Sequence, residues 1–445
     1  MKKNKYPIIP KAMLNKKIIL LFCLLMTFSG LSAQTLLGVE DAVGIALKNN
    51  YDIAVAKNNA DITKVNNTMG NAGMLPYLSV TGTDNYSVSN VNMTLSSGSA
   101  ITSSAGTSNA FNASTTLNWT LFDGTKMFIT KNKLSQIEKL GDIQFNDVLM
   151  QTVYNVTVAF YQVVVQKQQL LAIRDVMAYS LERVRILQKG YEAGIAHKND
   201  LLQAKIDLNV NREAEINQLN NIRNSKRALN LVIARDPETP FDVADTIPLN
   251  YQPDPVDLMN KLYVNNTSVL SYGKQVDIAR LSLGEYQTLR LPKLNFLASY
   301  GYQQNNNSAS NVLTNRSFGP LVGGSLIIPI YQAGNALRQV RAAKIQLQST
   351  QYNLDNVKLQ VNTQLKTALT EFDDQKTLLG IETDNLTLAK ENLRISLERL
   401  RLGQTTALEV RQAQESYANS LARYYDFEFN MKVAETRLKQ LVAGL

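Results

Sequence analysis

Residues 111–122 read FNASTTLNWTLF, and apolar and polar side chains alternate along most of this segment. A period of two indicates a β-strand with one apolar and one polar face. Segments 78–89, 294–303 and, less cleanly, 318–330 alternate in the same way. Strands of about ten residues with one apolar face suit a membrane β-barrel around a wet lumen. A soluble sheet with one buried face is the alternative, and it is disfavoured because no other part of the chain is left to cover that face.

Each pair of strands leads without a linker into a long segment of helical periodicity. No proline occurs from 77 to 236 or from 330 to 445, and apolar residues recur there every three or four positions. We therefore predict helices of about 65 residues over 125–190 and 334–402, each roughly 100 Å long. Helices of this length indicate a coiled-coil or repeat assembly. Four strands cannot close a barrel, and open sheet edges are not tolerated in lipid, so closure requires several chains.

The two halves of the chain repeat one another. Asn50 recurs as Asn266 at an offset of 216, and Gly194 recurs as Gly403 at an offset of 209. Each offset is constant on its own side of a single break within the hairpins, which indicates a duplicated unit rather than chance matches.

The duplication predicts a first copy at 34–236 and a second at 256–445, joined by a connector at 237–255 that contains five prolines. The predicted segments of the first copy are a helix at 38–73, a β-hairpin at 78–121, a long helix at 125–190 and a helix at 195–236. Those of the second are a helix at 256–289, a hairpin at 294–330, a long helix at 334–402 and a helix at 404–443. Exposed loops are predicted at 90–109 and 305–317, which are rich in Ser and Asn.

The N-terminus has the three regions of a secretory signal peptide, which we predict over 1–33. Six lysines and no acid accompany an apolar run at 18–26 that is too short for a membrane anchor. Met1 and Met13 are both possible starts. Cleavage after residue 33 removes the only cysteine and leaves 40 basic against 37 acidic residues, a net charge of +3 that does not favour nucleic-acid binding. No later stretch approaches the ~20 apolar residues of a membrane-spanning helix.

Short motifs recur in the same order in both copies. They are Leu75-Pro76 and Leu291-Pro292 before the strands, Leu121-Phe122-Asp123-Gly124 and Pro329-Ile330-Tyr331-Gln332-Ala333-Gly334 after them, and the segments 190–204 and 399–413 around Gly194 and Gly403. This ordered set resembles the TolC family of outer-membrane efflux channels over the whole mature chain. The resemblance implies a mainly α fold with a transmembrane β-barrel. Four strands per protomer would form part of a twelve-stranded trimeric barrel, continuous with a long α-helical coiled-coil barrel.

The same resemblance implies the function and the partners. The chain would form a homotrimeric conduit of a tripartite efflux or type I secretion system, exporting small molecules or proteins. It would contact outer-membrane lipid, extend helices into the periplasm and dock to a periplasmic adaptor and an inner-membrane pump of RND or ABC type. A passive porin is disfavoured because porin barrels have short periplasmic turns. A structural coiled-coil surface or filament protein would leave the amphipathic hairpins unexplained.

Candidate site residues follow from the resemblance. The family's acidic gate positions lie six and nine residues after the second-copy glycine, which are Glu409 and Gln412 here; Asp200 and Gln203 are the first-copy equivalents. Three copies of Glu409 would concentrate negative charge and favour cations, although an ordinary solvated helix residue is the alternative reading. Gln412 replaces an expected acid, so a double acidic ring is in doubt.

Two further groups of residues are expected to contact partners or lipid. The adaptor-docking tip turns comprise Tyr191, Gly194, Arg401 and Gly403. The membrane aromatic belt comprises Tyr77, Tyr86, Trp119, Tyr300 and Tyr302.

Catalytic chemistry is not expected. His197 is the only histidine and the mature chain lacks cysteine, which excludes common zinc and Cys/His nucleophile sites. Phosphate-binding and dinucleotide-binding glycine motifs are also absent from the sequence. We therefore predict no cofactor, no metal site and no enzymatic activity.

Overall fold

The structure, a computed structural model of the chain, describes residues 36–444, so the predicted signal peptide at 1–33 lies outside the described residues. The described helices and strands follow in this order: α1 (Val39–Asn49), α2 (Tyr51–Asn66), β1 (Tyr77–Thr94), β2 (Ala100–Phe122), α3 (Lys126–Glu192), α4 (Lys198–Val232), α5 (Pro255–Asn265), α6 (Thr267–Gln287), the short 3₁₀ turn Thr288–Arg290, β3 (Lys293–Asn307), β4 (Thr314–Ile327), α7 (Asn335–Arg401) and α8 (Ala407–Leu441).

Corresponding elements of the two halves occur in the same order, and three pairs of helices have identical lengths. Helices α3 and α7 each have 67 residues, α4 and α8 each have 35, and α1 and α5 each have 11. At a rise of 1.5 Å per residue, α3 and α7 are each roughly 100 Å long.

The described chain divides into two compact units that do not coincide with the sequence repeats. One unit contains the described residues up to Lys48 together with 155–249 and 378–432, and the other contains 49–154, 250–377 and the residues from Val433 onward. Both repeats contribute to each unit, because α3 and α7 run from one unit into the other.

The helices that precede the hairpins are not continuous, so the single helices predicted at 38–73 and 256–289 are wrong. Asn50 separates α1 from α2 with extended dihedral angles, φ −65° and ψ 129°, and its side chain accepts hydrogen bonds from two backbone N–H groups. Asn266 separates α5 from α6 with φ −61° and ψ 120°, and its side chain accepts from the backbone N–H of Val269. Asparagine is a preferred N-cap, and its side chain supplies the acceptor that starts the second helix.

The four strands form one antiparallel sheet in the order β1-β2-β3-β4. Within the part of the chain that the structure describes, β1 and β4 are the sheet edges and do not pair with each other. The register aligns Leu78 with Leu117, Ala298 and Val322 across the sheet, which places the apolar positions of all four strands on one face. The mainly α fold with a four-stranded membrane-type sheet, which the sequence predicts, is thereby confirmed.

The strands extend beyond the predicted limits, and the loop predicted at 90–109 is wrong. Strand β1 reaches Thr94 and β2 begins at Ala100, so the connection is short. Although this region is polar, its two segments pair as antiparallel strands, with one bulge after Ser89. At the bulge the Asn90 side chain accepts from the backbone N–H of Ala105 at 3.0 Å. The second hairpin loop is likewise shorter than the predicted 305–317, because β3 continues to Asn307 and β4 begins at Thr314.

Helix α3 supplies several of the most buried side chains of the unit that contains residues 155–249. Val156, Val163 and Val164 are fully buried and pack in one cluster with Leu229 of α4 and Phe241 of the connector. An 18-residue window of α3 is apolar enough by length and composition to cross a membrane, contrary to the sequence expectation, but 44% of that window is buried within the protein. One helix of this kind is weak support for a membrane span, because buried core helices have the same composition.

Candidate functional site

The turns that join the long helices to the shorter ones have the same backbone geometry in both halves. Gly194 has φ +74° and Gly403 has φ +71°. The N–H of Gly194 donates to the carbonyl of Tyr191 at 3.0 Å, and the N–H of Gly403 donates to the carbonyl of Leu400 at 3.1 Å. A left-handed residue at a helix C-terminus favours glycine, because glycine has no Cβ to clash there.

The two turns lie side by side in one unit. Residues of both turns line a cavity of about 730 Å³, among them Gly190, Ile195 and Leu402. The Arg401 guanidinium donates to the Glu182 carboxylate of α3 at 2.8 Å. Hydrogen bonds from Arg185 and then from Arg401 hold the pKa of the Glu182 carboxyl below its usual value, although burial opposes this. Arg401 therefore links the two halves at the turns.

Tyr191 is the remaining residue of the predicted docking turns. Its side chain is 43% exposed, at the end of α3. This exposure leaves a large aromatic surface beside the Gly194 turn.

Glu409 lies in the first turn of α8 and takes part in local capping. Its backbone N–H donates to the Thr406 hydroxyl at 3.2 Å, and the Thr405 and Thr406 hydroxyls donate to its carboxylate. A Thr followed three residues later by Glu is the capping-box pattern. The structure shows one half of it, the bond from the Glu409 N–H to the Thr406 hydroxyl. The local geometry thus accounts for Glu409 without requiring a gate.

The equivalent helix start in the first half has a different arrangement. His197 precedes α4 and its side chain makes no capping hydrogen bond. Asp200 and Gln203 of this helix line a small cavity of about 120 Å³ together with Asp207 and Arg411. Glu409 does not line this cavity, and neither does Gln412, which is exposed. The structure therefore brings together only two of the four candidate gate residues.

The sheet register separates the predicted aromatic belt into two groups. Tyr86, Trp119, Tyr300 and Tyr302 occupy positions on the apolar face, whereas Tyr77 pairs with Asn118 on the opposite, polar face. Tyr77 is therefore removed from the predicted belt, because residues separated by an odd number of positions in one strand point to opposite faces.

Contacts around Trp119 and Tyr302 hold these rings on the sheet. The indole N–H of Trp119 donates to the carbonyl of Met74 at 3.0 Å. The Tyr302 ring packs edge-to-face against Phe111 with centroids 6.2 Å apart, and its hydroxyl donates to the Gln304 side chain at 2.8 Å. Trp119 and Tyr300 retain 38% and 56% exposure on this face.

Comparison with known proteins agrees with this geometry. The sequence profile of the Outer membrane efflux protein family matches residues 42–235 and 258–444. The chain belongs to the outer membrane efflux protein family. It is a TolC-like protein of the outer membrane, and its family is one of channel proteins rather than enzymes.

Proteins related to this chain share a low sequence identity with it. The alkaline protease secretion protein AprF of Pseudomonas aeruginosa is 23% identical over 72% of the chain, and the match spans 66% of AprF, just under two thirds. The proteases secretion protein PrtF of Dickeya chrysanthemi is 22% identical over 97% of the chain and 93% of PrtF. The Campylobacter jejuni CmeC outer membrane channel superposes with a TM-score of 0.75 at 16% identity, covering 91% of the chain and 85% of CmeC. At this identity the structural likeness establishes the fold.

A buried ion pair near the turns is a feature that the sequence analysis does not predict. Arg183 of α3 is 2% exposed and donates to the Asp207 carboxylate of α4 at 2.5 Å. The Nε–H of Arg183 has no hydrogen-bond partner in the described structure, and burial lowers the pKa of its guanidinium, although Asp207 opposes this. Arg411 of α8 lies 3.7 Å from the same carboxylate. The available signal was the position of Arg183 on the apolar helix stripe that includes Val176 and Leu187.

Metal-binding chemistry has no visible basis in the described part of the chain. Over residues 36–444, no group of three or more His, Cys, Asp or Glu side chains is arranged to hold a metal ion.

Proposed function

We propose that this chain is the outer-membrane channel subunit of a tripartite efflux or type I secretion system. In this proposal it acts as a homotrimer that is coupled to a periplasmic adaptor and to an inner-membrane pump of RND or ABC type. The observation that carries the proposal is a four-stranded sheet with one apolar face and two free edges in an outer-membrane protein.

The free edges require partner strands. In the described residues β1 pairs only with β2, and β4 pairs only with β3. Backbone groups exposed to lipid at such edges are too costly to leave unpaired, so membrane sheets close into barrels. Copies of the same chain supply matching edges, β4 of one copy beside β1 of the next. Three copies, the number that the family resemblance implies, give twelve strands.

The apolar face has a height that suits a bilayer. Trp119 and Asn109, the partner of Tyr86, are ten residues apart on β2, or about 33 Å along the strand. Strands tilted by 35–45°, as in outer-membrane barrels, project this to roughly 25 Å, which is the height of the usual apolar band. We propose that Trp119 and Tyr86 lie near the two boundaries, with Tyr300 and Tyr302 between them.

The connection between strands and helices supports a continuous conduit. Only three residues separate the end of β2 at Phe122 from the start of α3 at Lys126. The second hairpin ends at Ile327, and α7 begins at Asn335. Because outer-membrane porins have short periplasmic turns, helices of 67 residues at this position favour a conduit that crosses the periplasm.

We propose that the paired glycine turns form the periplasmic end of the conduit, where the adaptor docks. The exposed Tyr191 and the Arg401 link beside the turns supply an aromatic and a cationic contact for that partner. Glu409 stays a proposed gate residue: its carboxylate is exposed, so capping of α8 does not prevent it from facing an axis. Asp200 and Gln203 are proposed to shape the same constriction from the first half.

The proposal is tested by purifying the mature chain in detergent, cross-linking exposed lysines and then measuring single-channel currents in planar bilayers. We expect a cross-linked ladder that ends at three chains and discrete conductance steps. A monodisperse monomer that gives no current after reconstitution would overturn the proposal. Cargo is addressed separately, by comparing sensitivity to toxic compounds and secretion of proteases in cells that lack the gene.

A further inference from the structure

Charge is distributed very unevenly around the sheet. The only charged side chains in the strands β1 to β4 are Asp84, Lys293 and Arg316. Residues 85–122 contain no charged residue. The segments that border the helix-proximal ends of the strands, 123–134, 285–293 and 328–344, contain eight basic residues and two acidic ones, a net charge of +6 per chain. We call these three segments the basic collar.

The basic collar contains a cleft between α3, β3 and the residues that precede β1. This cleft has a volume of about 610 Å³, and Lys126, Lys133 and Lys293 line it. Glu285 accepts from Lys133, so the charge of this lysine is neutralised. The cleft is also lined by the Asp123 carboxylate and by the amide side chains of Asn71 and Asn295. In the described structure Lys126 and Lys293 form no ion pair, so the three lysines and two acids of the cleft leave a net charge of +1.

Lys126 lies at the N-terminus of α3, where a helix favours negative charge. The first turns of α3 and α7 contain no acidic residue, and Lys126 is the first residue of α3. A helix N-terminus carries partial positive charge and favours anions, so a lysine there is locally unfavourable. The Asp123 carboxylate already accepts from the backbone N–H of Met127 at the start of α3, so an anion bound in the cleft would be attracted mainly by Lys126 and Lys293.

The basic collar also contains exposed apolar side chains. Phe128 is 59% exposed, Tyr331 is 86% exposed and Ile330 is 95% exposed. Lys293 directly precedes Leu294, which begins the apolar positions of β3. Cations at the edge of an apolar membrane face lie at headgroup level, where basic and aromatic residues are enriched.

We propose that the cleft lined by Lys126 and Lys293 binds the phosphate of an anionic phospholipid in the leaflet that faces the helices, and that the basic collar attracts such lipids around the barrel. This inference rests on the proposed orientation of the sheet in the outer membrane. A lipid is favoured over a free anion because the cleft borders the apolar face, so that one molecule can place its phosphate on the lysines and its acyl chains on the sheet.

The test measures binding of phosphatidylglycerol and phosphatidylethanolamine to the purified oligomer by native mass spectrometry in detergent. The double variant Lys126→Gln/Lys293→Gln is compared with the unchanged chain. Its matched control is Lys376→Gln/Lys390→Gln, which removes two exposed lysines of α7 outside the basic collar. We expect the unchanged chain and the control to prefer phosphatidylglycerol, and the cleft variant to bind it roughly 30-fold more weakly, since each basic residue near an anionic lipid surface contributes about a factor of five.

The outcomes distinguish a lipid headgroup from a free anion as the ligand. They also separate a failure of the lipid site from a failure of the proposed channel function. Equal binding of both lipids by the unchanged chain, or equal loss in the cleft variant and the control, would overturn the lipid site. Competition by millimolar inorganic phosphate as effective as that by phosphatidylglycerol would also overturn it, by showing a free-anion site instead. Single-channel currents are recorded on the same samples: normal currents without a lipid preference refute this inference alone, whereas the absence of any trimer or current refutes the proposed function.

Discussion

At the scale of single residues, the most informative group is the pair of Gln168 on α3 and Glu428 on α8. The two side chains are 5% and 9% exposed, and the Gln168 amide N–H donates to the Glu428 carboxylate at 3.0 Å. The Gln168 amide oxygen is buried and has no hydrogen-bond partner in the described structure. Burial raises the pKa of the Glu428 carboxyl, and the hydrogen bond from Gln168 offsets this only in part.

This raised pKa determines the direction of a pH-dependent change in stability. The folded state holds the Glu428 proton more tightly than the unfolded state does, so the folded protein loses stability as pH rises through the ordinary carboxyl range to the folded-state pKa. Glu428→Gln removes the charge and gives the orphaned Gln168 oxygen an N–H donor. We expect thermal unfolding followed by circular dichroism to show about 1 kcal/mol of added stability at neutral pH and little change near pH 4. Glu415→Gln, an exposed control on the same helix, should change stability by less than about 0.5 kcal/mol at both pH values; a pH-independent effect of Glu428→Gln would contradict the assignment.

At the scale of elements, the breaks at Asn50 and Asn266 determine how each half enters its hairpin. The Asn50 side chain accepts from the N–H of Asp52 at 2.8 Å on a partly exposed surface. Asn266 is buried, and besides capping α6 its amide donates to the carbonyl of Leu441 at 2.9 Å. Asn50→Ala should therefore reduce the free energy of unfolding by about 1 kcal/mol, the usual effect of losing an N-cap. Asn266→Ala should reduce it by roughly 2–3 kcal/mol, because a buried carbonyl also loses its donor.

The matched control for the two cap variants is Asn265→Ala, an exposed change one residue earlier that removes no described cap. Denaturant unfolding of each variant measures the difference. If Asn265→Ala is as destabilising as Asn266→Ala, the capping account of the break between α5 and α6 fails.

The elements also show what the sequence can and cannot predict. The sequence predicts the long helices to within two residues, because both segments lack proline and contain apolar residues at helical spacing. The repeat of Asn50 at Asn266 does not by itself predict the helix breaks. An asparagine caps a helix only where its own backbone is extended, as it is at both positions, and that conformation depends on tertiary packing. The length of β1 and β2 was underestimated because Ser, Thr and Asn are equally frequent in loops, and only cross-strand pairing decides between the two. Arg183 was missed because its burial depends on Asp207, which lies on a different helix.

At the scale of the whole molecule, the sequence leaves two possible roles for Glu409, the candidate gate residue of the proposed channel. Glu409 has two explanations, an acidic ring at a trimer axis and a capping box with Thr406. The hydrogen bond from its backbone N–H to the Thr406 hydroxyl supports the second explanation. The variant Glu409→Gln distinguishes these two explanations. Glutamine is the other residue that completes a capping box, so this change keeps the cap and removes only the charge.

If three Glu409 carboxylates line the constriction, Glu409→Gln should reduce the cation preference of the reconstituted channel severalfold, because a ring of carboxylates raises the local cation concentration. Thermal stability should stay within about 0.5 kcal/mol, as for a surface change that preserves its hydrogen bonds. Reversal potentials in asymmetric salt measure the preference, and Glu415→Gln on the next turns of the same helix is the matched control for charge removal. Unchanged reversal potentials together with unchanged stability would remove Glu409 from the gate, whereas a loss of stability in Glu409→Ala alone would assign it to the cap. Low ionic strength is the appropriate condition, because screening at physiological salt, with a Debye length of about 8 Å, weakens the field of an exposed ring.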